Sequence, residues 1–377
     1  MPGEREEKMK SKRLSLLAVG DVILGPDPDF YFQPSKPVLK SADLVMGQLE
    51  VPYTTRDAAT LALGRDPAVL QALVANKFDI VTMAGNHLAD AGAIGIEDTL
   101  KWLKKHKIAQ VGAGMNLAEA RKAVVLERDG TRFGFLDYNC VGPKETWATK
   151  DKPGNAYINI ITHYELDHAT PGGPPVIYTW AETSTLNAMV DDVQKLRPKC
   201  DVLIVSFHKG LGHTPVKLAE YEKQVSYAAI DAGADLVLGH HAHILKGVEV
   251  YRGKTIFHSL CNFVAWVPSL AAKPGSDPNS WAARRKELFG FEPDPEYPTY
   301  PFHPEAVYTI IAKCVVQDGR IMNTAYLPCI VNKKGQPEVV KHDARGQRVF
   351  DYMEKITSAA RLNAAFRWQG NEVVIRG

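Results

Sequence analysis

Eight side chains suited to metal binding or acid–base chemistry follow short apolar runs of the sequence, where strands are expected to end. They are Asp21, Glu50, Asn86, His87, His208, His240, His241 and His243. Because strand ends are where an α/β sheet presents side chains to a ligand, this placement predicts one shared site. Carboxylates combined with neutral imidazoles suit manganese, iron or zinc, and one carboxylate can bridge two ions. The pattern therefore predicts a site for one or two divalent transition metal ions.

Taken singly, these residues have simpler structural explanations. Asp21 could cap a helix, and His208 could be a hydrogen-bonded histidine of the core. The pair His241 and His243 is harder to explain in this way. Side chains two residues apart on an extended segment point to the same side, so we expect both imidazoles to face the same way.

The elements that must position these residues alternate between short apolar runs and amphipathic stretches, which is typical of strands interleaved with helices. Predicted strands cover 14–19, 44–46, 80–83, 133–137, 202–207, 236–238, 307–316 and 321–327, and predicted helices cover 68–75, 96–106 and 350–362. The turn residues at 252–254 predict a hairpin between 248–251 and 255–259. This order predicts an α/β fold.

The composition excludes several classes of function. The chain has 377 residues, with 45 Lys and Arg against 43 Asp and Glu, for a formal net charge of +2. Such a balance gives no electrostatic support for binding nucleic acid or an anionic membrane. No apolar run is long enough for a secretory signal or a membrane span. The five cysteines lack Cys-x-x-Cys spacing, which favours reduced thiols in a cytoplasmic protein.

Residues 266–304 break the alternating pattern, with eight prolines and seven aromatic residues. We expect an ordered lid inserted into a single domain spanning 14–377, preceded by a flexible N-terminus over 1–13. Arg284 and Arg285 add positive charge to the aromatic residues of this lid. If the lid folds over the site, it would suit a substrate with a ring or apolar portion and an anionic group. Alternatively, the aromatic residues only pack the lid onto the body and the basic residues are solvated.

In their order along the chain, the motifs over 14–265 resemble the CapA family, named for capsule and poly-γ-glutamate synthesis proteins. The residues that carry the resemblance are Gly20-Asp21, Leu49-Glu50-Val51-Pro52, Gly85-Asn86-His87 with Asp90 and Gly92, His208, Asp231-Ala232-Gly233-Ala234-Asp235, Gly239-His240-His241-Ala242-His243, and Ser259 with Asn262-Phe263. The resemblance implies a calcineurin-like metallophosphoesterase fold, a four-layer α/β/β/α sandwich with a metal site at the sheet ends.

Position by position, the resemblance also implies roles for the polar residues. The metal ligands would be Asp21, Glu50, Asn86, His208, His241 and His243. The implied division places Asp21 and His243 on one ion, the other two histidines with Asn86 on a second ion, and Glu50 between them. His87 would be the acid that protonates a leaving group.

This chain departs from the family pattern around the expected pocket. Ordinary two-metal phosphoesterases have a histidine two positions after the first aspartate, where this chain has Ile23. Gln48 replaces an asparagine, the run 209–213 replaces a Trp-Gly-acidic sequence, and Cys261 replaces a glycine. We expect substrate contacts from residues at these departures, in the histidine cluster and in the lid, namely Gln48, Lys209, His213, His240, Arg284, Arg285 and His303.

These features predict a soluble metal-dependent hydrolase that uses a metal-activated water on a small molecule, with a phosphoester, amide or lactone as the bond cleaved. The alternative is a non-catalytic, metal-stabilised binding or scaffold subunit of poly-γ-glutamate or capsule synthesis. The absent histidine at position 23 favours this alternative, whereas the pair Asn86-His87 disfavours it because a scaffold needs no proton donor.

Overall fold

The computed structural model describes residues 12–56, 65–166, 173–271, 277 and 281–377. In these ranges the strands are β1 (Leu14–Ile23), β2 (Leu44–Leu49), β3 (Ile80–Thr82), β4 (Ala109–Val111), β5 (Ala113–Gly114), β6 (Val124–Arg128), β7 (Thr131–Asn139), β8 (Gly154–Asn155), β9 (Ile160–Glu165), β10 (Val176–Ala181), β11 (Val202–Lys209), β12 (Leu236–His241), β13 (Val248–Tyr251), β14 (Lys254–Phe257), β15 (Asn262–Ala265), β16 (Tyr308–Gln317), β17 (Arg320–Val331), β18 (Pro337–Val339), β19 (Ala365–Gln369) and β20 (Glu372–Arg376).

The helices in the same ranges are α1 (Pro28–Phe32), α2 (Lys36–Ser41), α3 (Gln71–Ala75), α4 (Gly92–Lys105), α5 (Leu117–Ala120), α6 (Thr183–Leu196), α7 (Glu220–Ala232), α8 (Trp281–Phe289) and α9 (Ala344–Ala359). Short 3-10 helices occur at Pro67–Leu70, Lys144–Thr146, Arg197–Lys199, Pro268–Leu270 and Pro304–Val307. Among the helices described, none has both the length and the apolar character needed to cross a membrane.

Two large sheets carry the fold. The first has the strand order β19-β20-β17-β16-β1-β2-β3-β4, with β15 paired to the end of β1 and β18 paired to β17. Its strands β1 to β4 are parallel, whereas β16 is antiparallel to β1. The second sheet has the order β13-β14-β12-β11-β7-β6, and β7, β11, β12 and β14 are parallel. Both sheets therefore have parallel centres whose carboxyl ends are free to form a site.

Alternating side chains divide the core into three apolar layers. Leu16 of β1 and Ile204 of β11 lie in a layer shared by both sheets. The next residue on β1, Leu17, packs instead with residues of α1, α2 and α4. Leu203 of β11 packs with residues of α6 and α7 on the opposite side of the molecule. Because side chains alternate along each strand, one face of each sheet packs against the other sheet and the opposite face packs under helices. The predicted four-layer α/β/β/α sandwich is therefore confirmed.

Some predicted elements differ from those observed. The first strand continues to Ile23 instead of ending at 19, and the second continues to Leu49 instead of ending at 46, so both reach the polar residues at their ends. The predicted helix over 68–75 is a 3-10 helix, Pro67–Leu70, followed by α3. The hairpins β9–β10 and β19–β20 were not predicted.

The segment 266–304 contains α8 and the 3-10 helix Pro268–Leu270, and its side chains Phe291, Tyr300 and Phe302 are buried. Burial of these rings packs the segment against the body of the protein. Residues 272–276 and 278–280 of this segment, and residues 1–11 of the predicted flexible N-terminus, lie outside the described residues. A single domain with an inserted lid remains a prediction.

Candidate metal centre

Two glycines allow the backbone to approach closely where the candidate site forms. A Cβ atom at Gly20 would lie 2.0 Å from the carbonyl oxygen of Cys261, and one at Gly239 would lie 2.0 Å from that of His258. No other residue type fits such a distance. The strand β1 has an irregular register on both sides of Asp21, whose amide donates to the Cys261 carbonyl at 3.0 Å. This local irregularity presents the Asp21 side chain at the sheet end.

Asp21, Glu50 and His243 form a buried cluster. Each offers one potential ligand atom, and these atoms all lie within 4.8 Å of one another. Nδ1 of His243 lies 3.5 Å from Oδ2 of Asp21, and its Nε2 lies 3.3 Å from Oε1 of Glu50. Two carboxylates and an imidazole at this spacing could share one cation.

A second group adjoins this cluster. Nε2 of His208 lies 2.7 Å from Oδ1 of Asn86. The rings of His208 and His241 are 4.9 Å apart between centroids, and the rings of His241 and His243 are 5.8 Å apart. The six residues predicted as ligands thus lie in two adjacent groups, with Glu50 in the group of Asp21 and His243. Their division between two ions remains a prediction.

The backbone at His241 and His243 is not extended, so the geometric reason given for their pairing is wrong. The φ angles are 85° at His241 and 52° at His243, and β12 ends at His241. Both angles lie in the left-handed region that residues other than glycine rarely adopt. The two imidazoles come together through a strained turn rather than through the alternation of a strand.

The donor atoms of these groups have the properties that a divalent cation requires. Glu50 is fully buried, and neither of its carboxylate oxygens has a hydrogen-bond partner in the described part of the chain. Burial and the charge of Asp21 raise the pKa of Glu50 well above its ordinary value. Burial, with a smaller effect of neighbouring histidines, lowers the pKa of His208 and of His241. Neutral imidazoles beside a desolvated carboxylate fit a bound metal ion.

His87 lies at a cavity of about 190 Å³ that is also lined by Glu50, His243 and Phe302. Its Nδ1 atom lies 2.8 Å from Oδ2 of Asp90. Burial acts to lower the pKa of His87, but the Asp90 hydrogen bond and the charge of Glu50 outweigh it and raise that pKa. A raised pKa favours the protonated form of this imidazole, which is the form suited to proton donation at the cavity wall.

Three of the residues predicted to contact a substrate, Lys209, Gln48 and His240, are buried and form polar contacts with other groups of the protein instead. Lys209 is fully buried, and its Nζ atom lies 3.2 Å from Nδ1 of His258, so a substrate contact from Lys209 is contradicted. Gln48 is also buried, with its amide donating to the Ala84 carbonyl at 3.2 Å. His240 contacts the cluster of Asp21, Glu50 and His243 from within the core. Its Nδ1 atom lies 3.0 Å from Oδ1 of Asp21 and orients that carboxylate.

The basic residues of the lid also have partners of their own. Arg284 pairs with Glu287 on the same helix, at 3.1 Å. The guanidinium of Arg285 is buried and donates to backbone carbonyls of the lid. His303 accepts a hydrogen bond from the Glu305 amide at 3.1 Å and caps a 3-10 helix. These contacts engage polar groups of the three residues within the protein, and their substrate roles remain predictions.

His213 is the predicted substrate contact that the structure brings to the site. Its ring is stacked on that of His243 with centroids 5.4 Å apart, and it packs among aromatic side chains that include Phe291 and Phe302. Burial lowers the pKa of His213 to about 2. The neutral ring of His213 therefore lies between the aromatic side chains of the segment 266–304 and His243.

Three residues of the site had no predicted role. Oδ1 of Asn262 lies 2.8 Å from Nδ1 of His243 and orients the ring, so that Nε2 faces Glu50. Asp137 accepts hydrogen bonds from the amides of Met83 and Ala84 and holds the loop that leads to Asn86. Arg65 lines the cavity beside Glu50. Asn262 and Asp137 lie at a motif and at a predicted strand end, whereas no sequence signal marks Arg65.

Comparisons with known proteins identify the family. The model of a family described as bacterial capsule synthesis protein PGA_cap matches residues 15–266. Capsule biosynthesis protein CapA of Bacillus anthracis is 27% identical over 271 residues, covering 68% of this chain and 60% of that protein. PGA biosynthesis protein CapA of Bacillus subtilis (strain 168) is 29% identical over 266 residues, covering 67% and 63%. The chain thus matches about three fifths of the length of these relatives.

Solved structures align over most of the chain but at low similarity. A structure described as a novel phosphatase of Mycoplasma pneumoniae covers 91% of this chain and 99% of its own, with a TM-score of 0.47 and 15% identity. The calcineurin-like phosphoesterase YfkN of Bacillus subtilis covers 93% and 98%, with a TM-score of 0.40 and 12% identity. The four-layer description therefore rests on the strand order and core layers given above. Since the family model matches about two thirds of the residues, the chain belongs to the bacterial capsule synthesis PGA_cap family.

Proposed function

We propose that this chain is a metal-dependent hydrolase of small molecules that carry an anionic or ring portion, with a phosphoester, amide or lactone as the bond cleaved. The observation that carries the proposal is the position of Glu50. Its buried carboxylate lacks a hydrogen-bond partner among the described residues and lines the same cavity as His87. A buried carboxylate without hydrogen-bond partners is costly unless a cation compensates its charge, and the adjoining cavity gives a substrate access to it.

Six residues would hold one or two ions of manganese, iron or zinc. Asp21 and His243 belong to one position, Asn86, His208 and His241 to the other, and Glu50 lies beside the first. When bound, the metal would supply Lewis acidity and activate a water molecule. Asn262 and His240 orient this set from behind, because each lies within hydrogen-bonding distance of a ligand.

His87 serves as the general acid in this proposal. Asp90 fixes the ring through Nδ1 and raises the pKa of His87, so the imidazole is held ready to donate a proton to a departing group at the cavity wall. Phe302 lines the same cavity and adds an apolar surface to it.

The test combines metal analysis with a substrate panel. Protein purified without chelator is analysed for bound transition metals, and its activity is assayed with chromogenic phosphoesters, amides and lactones in the presence of manganese. We expect bound metal and manganese-dependent turnover, with turnover reduced about 100-fold or more in His87→Asn while metal content is retained. Absence of bound transition metal, with no activity gained on adding manganese, would refute the proposal.

A non-catalytic scaffold is the second candidate. Ile23 places an apolar side chain in the cavity wall at the position where two-metal phosphoesterases have a histidine. A relative in Mycobacterium tuberculosis, 30% identical over 196 residues, is described as a probable polyglutamine synthesis accessory protein. A scaffold of this kind would bind metal and gain thermal stability from it, yet show no turnover on any member of the panel.

A further inference from the structure

Arg65 lies between two neighbouring cavities. It lines the cavity of about 190 Å³ that contains Glu50 and His87. It also lines a second cavity of about 460 Å³, whose walls are mainly apolar. Ser269 also lines both cavities, so the two cavities are adjacent to each other.

The guanidinium of Arg65 is held in place by the backbone. Its Nη1 atom donates to the Leu24 carbonyl at 2.6 Å, and both Nη atoms lie 3.3 Å from the Trp266 carbonyl. The guanidinium carbon lies 5.7 Å from the centroid of the Trp266 ring. That ring covers Gly25, where a Cβ atom would lie 2.2 Å from the ring. A guanidinium carries five N–H groups, so two carbonyl acceptors fix its orientation and leave donors for a further partner.

Arg65 forms no salt bridge with a carboxylate in the described part of the chain, although its charge acts on the buried Glu50 in the cavity that both residues line. Other partly buried arginines contrast with it, each paired with an aspartate: Arg121 with Asp192 at 2.7 Å, Arg128 with Asp79 at 2.6 Å and Arg197 with Asp235 at 2.6 Å. The neighbouring carboxylate of Asp66 instead accepts from the Ala68 amide at 2.8 Å. A partly buried cation without a salt bridge carries a desolvation cost, and an anionic ligand in contact with it would relieve this cost.

We propose that Arg65 is a specificity-determining residue that binds an anionic group, carboxylate or phosphate, of a substrate spanning both cavities. The apolar or planar portion of that substrate lies against Trp266 in the second cavity, and the bond to be cleaved lies near Glu50 and His87. The proposal rests on the proposed hydrolase function for its substrate, but anion binding by Arg65 is measurable without turnover. The planar guanidinium fork suits two-point contact with a carboxylate or phosphate.

The test measures binding to the full chain in the presence of manganese by isothermal titration calorimetry. The probes are benzoate, its neutral counterpart benzamide, and phenylphosphonate as the phosphate-like anion. In Arg65→Gln we expect benzoate and phenylphosphonate to bind at least about tenfold more weakly, as expected when a charged hydrogen bond is lost. Benzamide affinity should change less than about twofold. Arg128→Gln is the matched control, because Arg128 pairs with Asp79 and lines neither cavity.

Three results would overturn this proposal: unchanged anion affinity in Arg65→Gln, an equal loss of benzamide affinity, or no anion binding by the wild type. Should Arg65→Gln fail to fold, Arg65→Lys keeps the charge but not the fork, and its benzoate affinity should fall severalfold; an unchanged value overturns the proposal. Turnover on the chromogenic panel with unchanged anion binding in the variants would contradict only the role of Arg65. Arg65-dependent binding without turnover would contradict only the hydrolase.

Discussion

His243 lies between the two buried carboxylates, with one imidazole nitrogen 3.5 Å from Asp21 and the other 3.3 Å from Glu50. Oδ1 of Asn262 also lies 2.8 Å from the nitrogen on the Asp21 side, and the other nitrogen faces Glu50. The imidazole of His243 thus connects the side-chain amide of Asn262 to the carboxylate of Glu50. Changes at either end are therefore expected to alter metal affinity as well as stability.

Glu50→Gln should raise the stability of the metal-free protein and abolish its stabilisation by manganese. The carboxylate is fully buried and close to Asp21, so removing its charge relieves desolvation and like-charge repulsion. We expect the Tm in chelator to rise by a few degrees, and the increase on adding manganese to disappear. Thermal unfolding with chelator and with manganese measures both effects. A variant that retains the full manganese-dependent increase would show that Glu50 is not a ligand.

Asp90→Asn should lower turnover without weakening the metal site. Asp90 holds His87 through a hydrogen bond of 2.8 Å and favours its protonated form. Losing such an orienting partner typically costs about 10- to 100-fold. We expect kcat to fall within this range on any substrate that the wild type hydrolyses, with KM and the manganese-dependent rise in Tm nearly unchanged. A fall in metal content would instead indicate a structural role for Asp90.

Gly25→Ala should destabilise the protein and displace Trp266. The added Cβ atom would lie 2.2 Å from the indole ring, a distance that forces the ring to move. Overpacking of this kind costs about 1–3 kcal/mol. Chemical denaturation measures the loss, and Gly173→Ala is the matched control because a Cβ atom there has nothing within 4 Å. Stability equal to that of the wild type would mean that the indole has room to shift.

His258→Gln should destabilise the protein at neutral pH, with a deficit that narrows in acid. Burial and the charge of Lys209 lower the pKa of His258 to about 3, whereas an unfolded histidine titrates near 6.5. Above about pH 6.5 neither state of the wild type binds this proton. Below it the unfolded state does, so the wild type loses stability until the folded pKa is reached.

Glutamine does not titrate, so the variant lacks that part of the loss. At pH 7.5 we expect the variant to be less stable by about 1–3 kcal/mol, because two buried hydrogen-bond partners, Lys209 and Glu249, lose the imidazole. Tm values of both proteins measured between pH 7.5 and 4.5 give the comparison. A deficit that widens as the pH falls would contradict a neutral buried His258.

The sequence predicted the layers, and the structure brings the residues expected as ligands close together, because both follow from local patterns. Asp21, Glu50 and His208 follow apolar runs, and parallel strands bring their ends to one edge. The left-handed backbone of His241 and His243 was not predictable, since the turn that imposes it is fixed by contacts distant in sequence. One of the two register shifts at Asp21 has a similar origin, in the pairing with β15, more than two hundred residues later.

The substrate contacts were predicted less well, and one error was avoidable. Lys209 follows His208 on the same strand, β11, so alternation places its side chain on the opposite face from the metal cluster. Arg284 and Arg285 were assigned by charge alone, yet a charge run shows nothing about which groups it pairs with. Arg65 gives no local signal, because its importance depends on the two cavities that meet beside it.

The strand order of the first sheet has a consequence for truncated forms of this chain. Strand β1 lies between β2 and β16, and it pairs with β16 from Leu14 to Ala18. A fragment that stops at residue 266, where the family match ends, would leave that edge of β1 open and apolar. Open edges of this kind promote intermolecular strand pairing. Recombinant production of residues 15–266 alone is therefore expected to give insoluble material, and the C-terminal third is needed to shield the strand that carries Asp21.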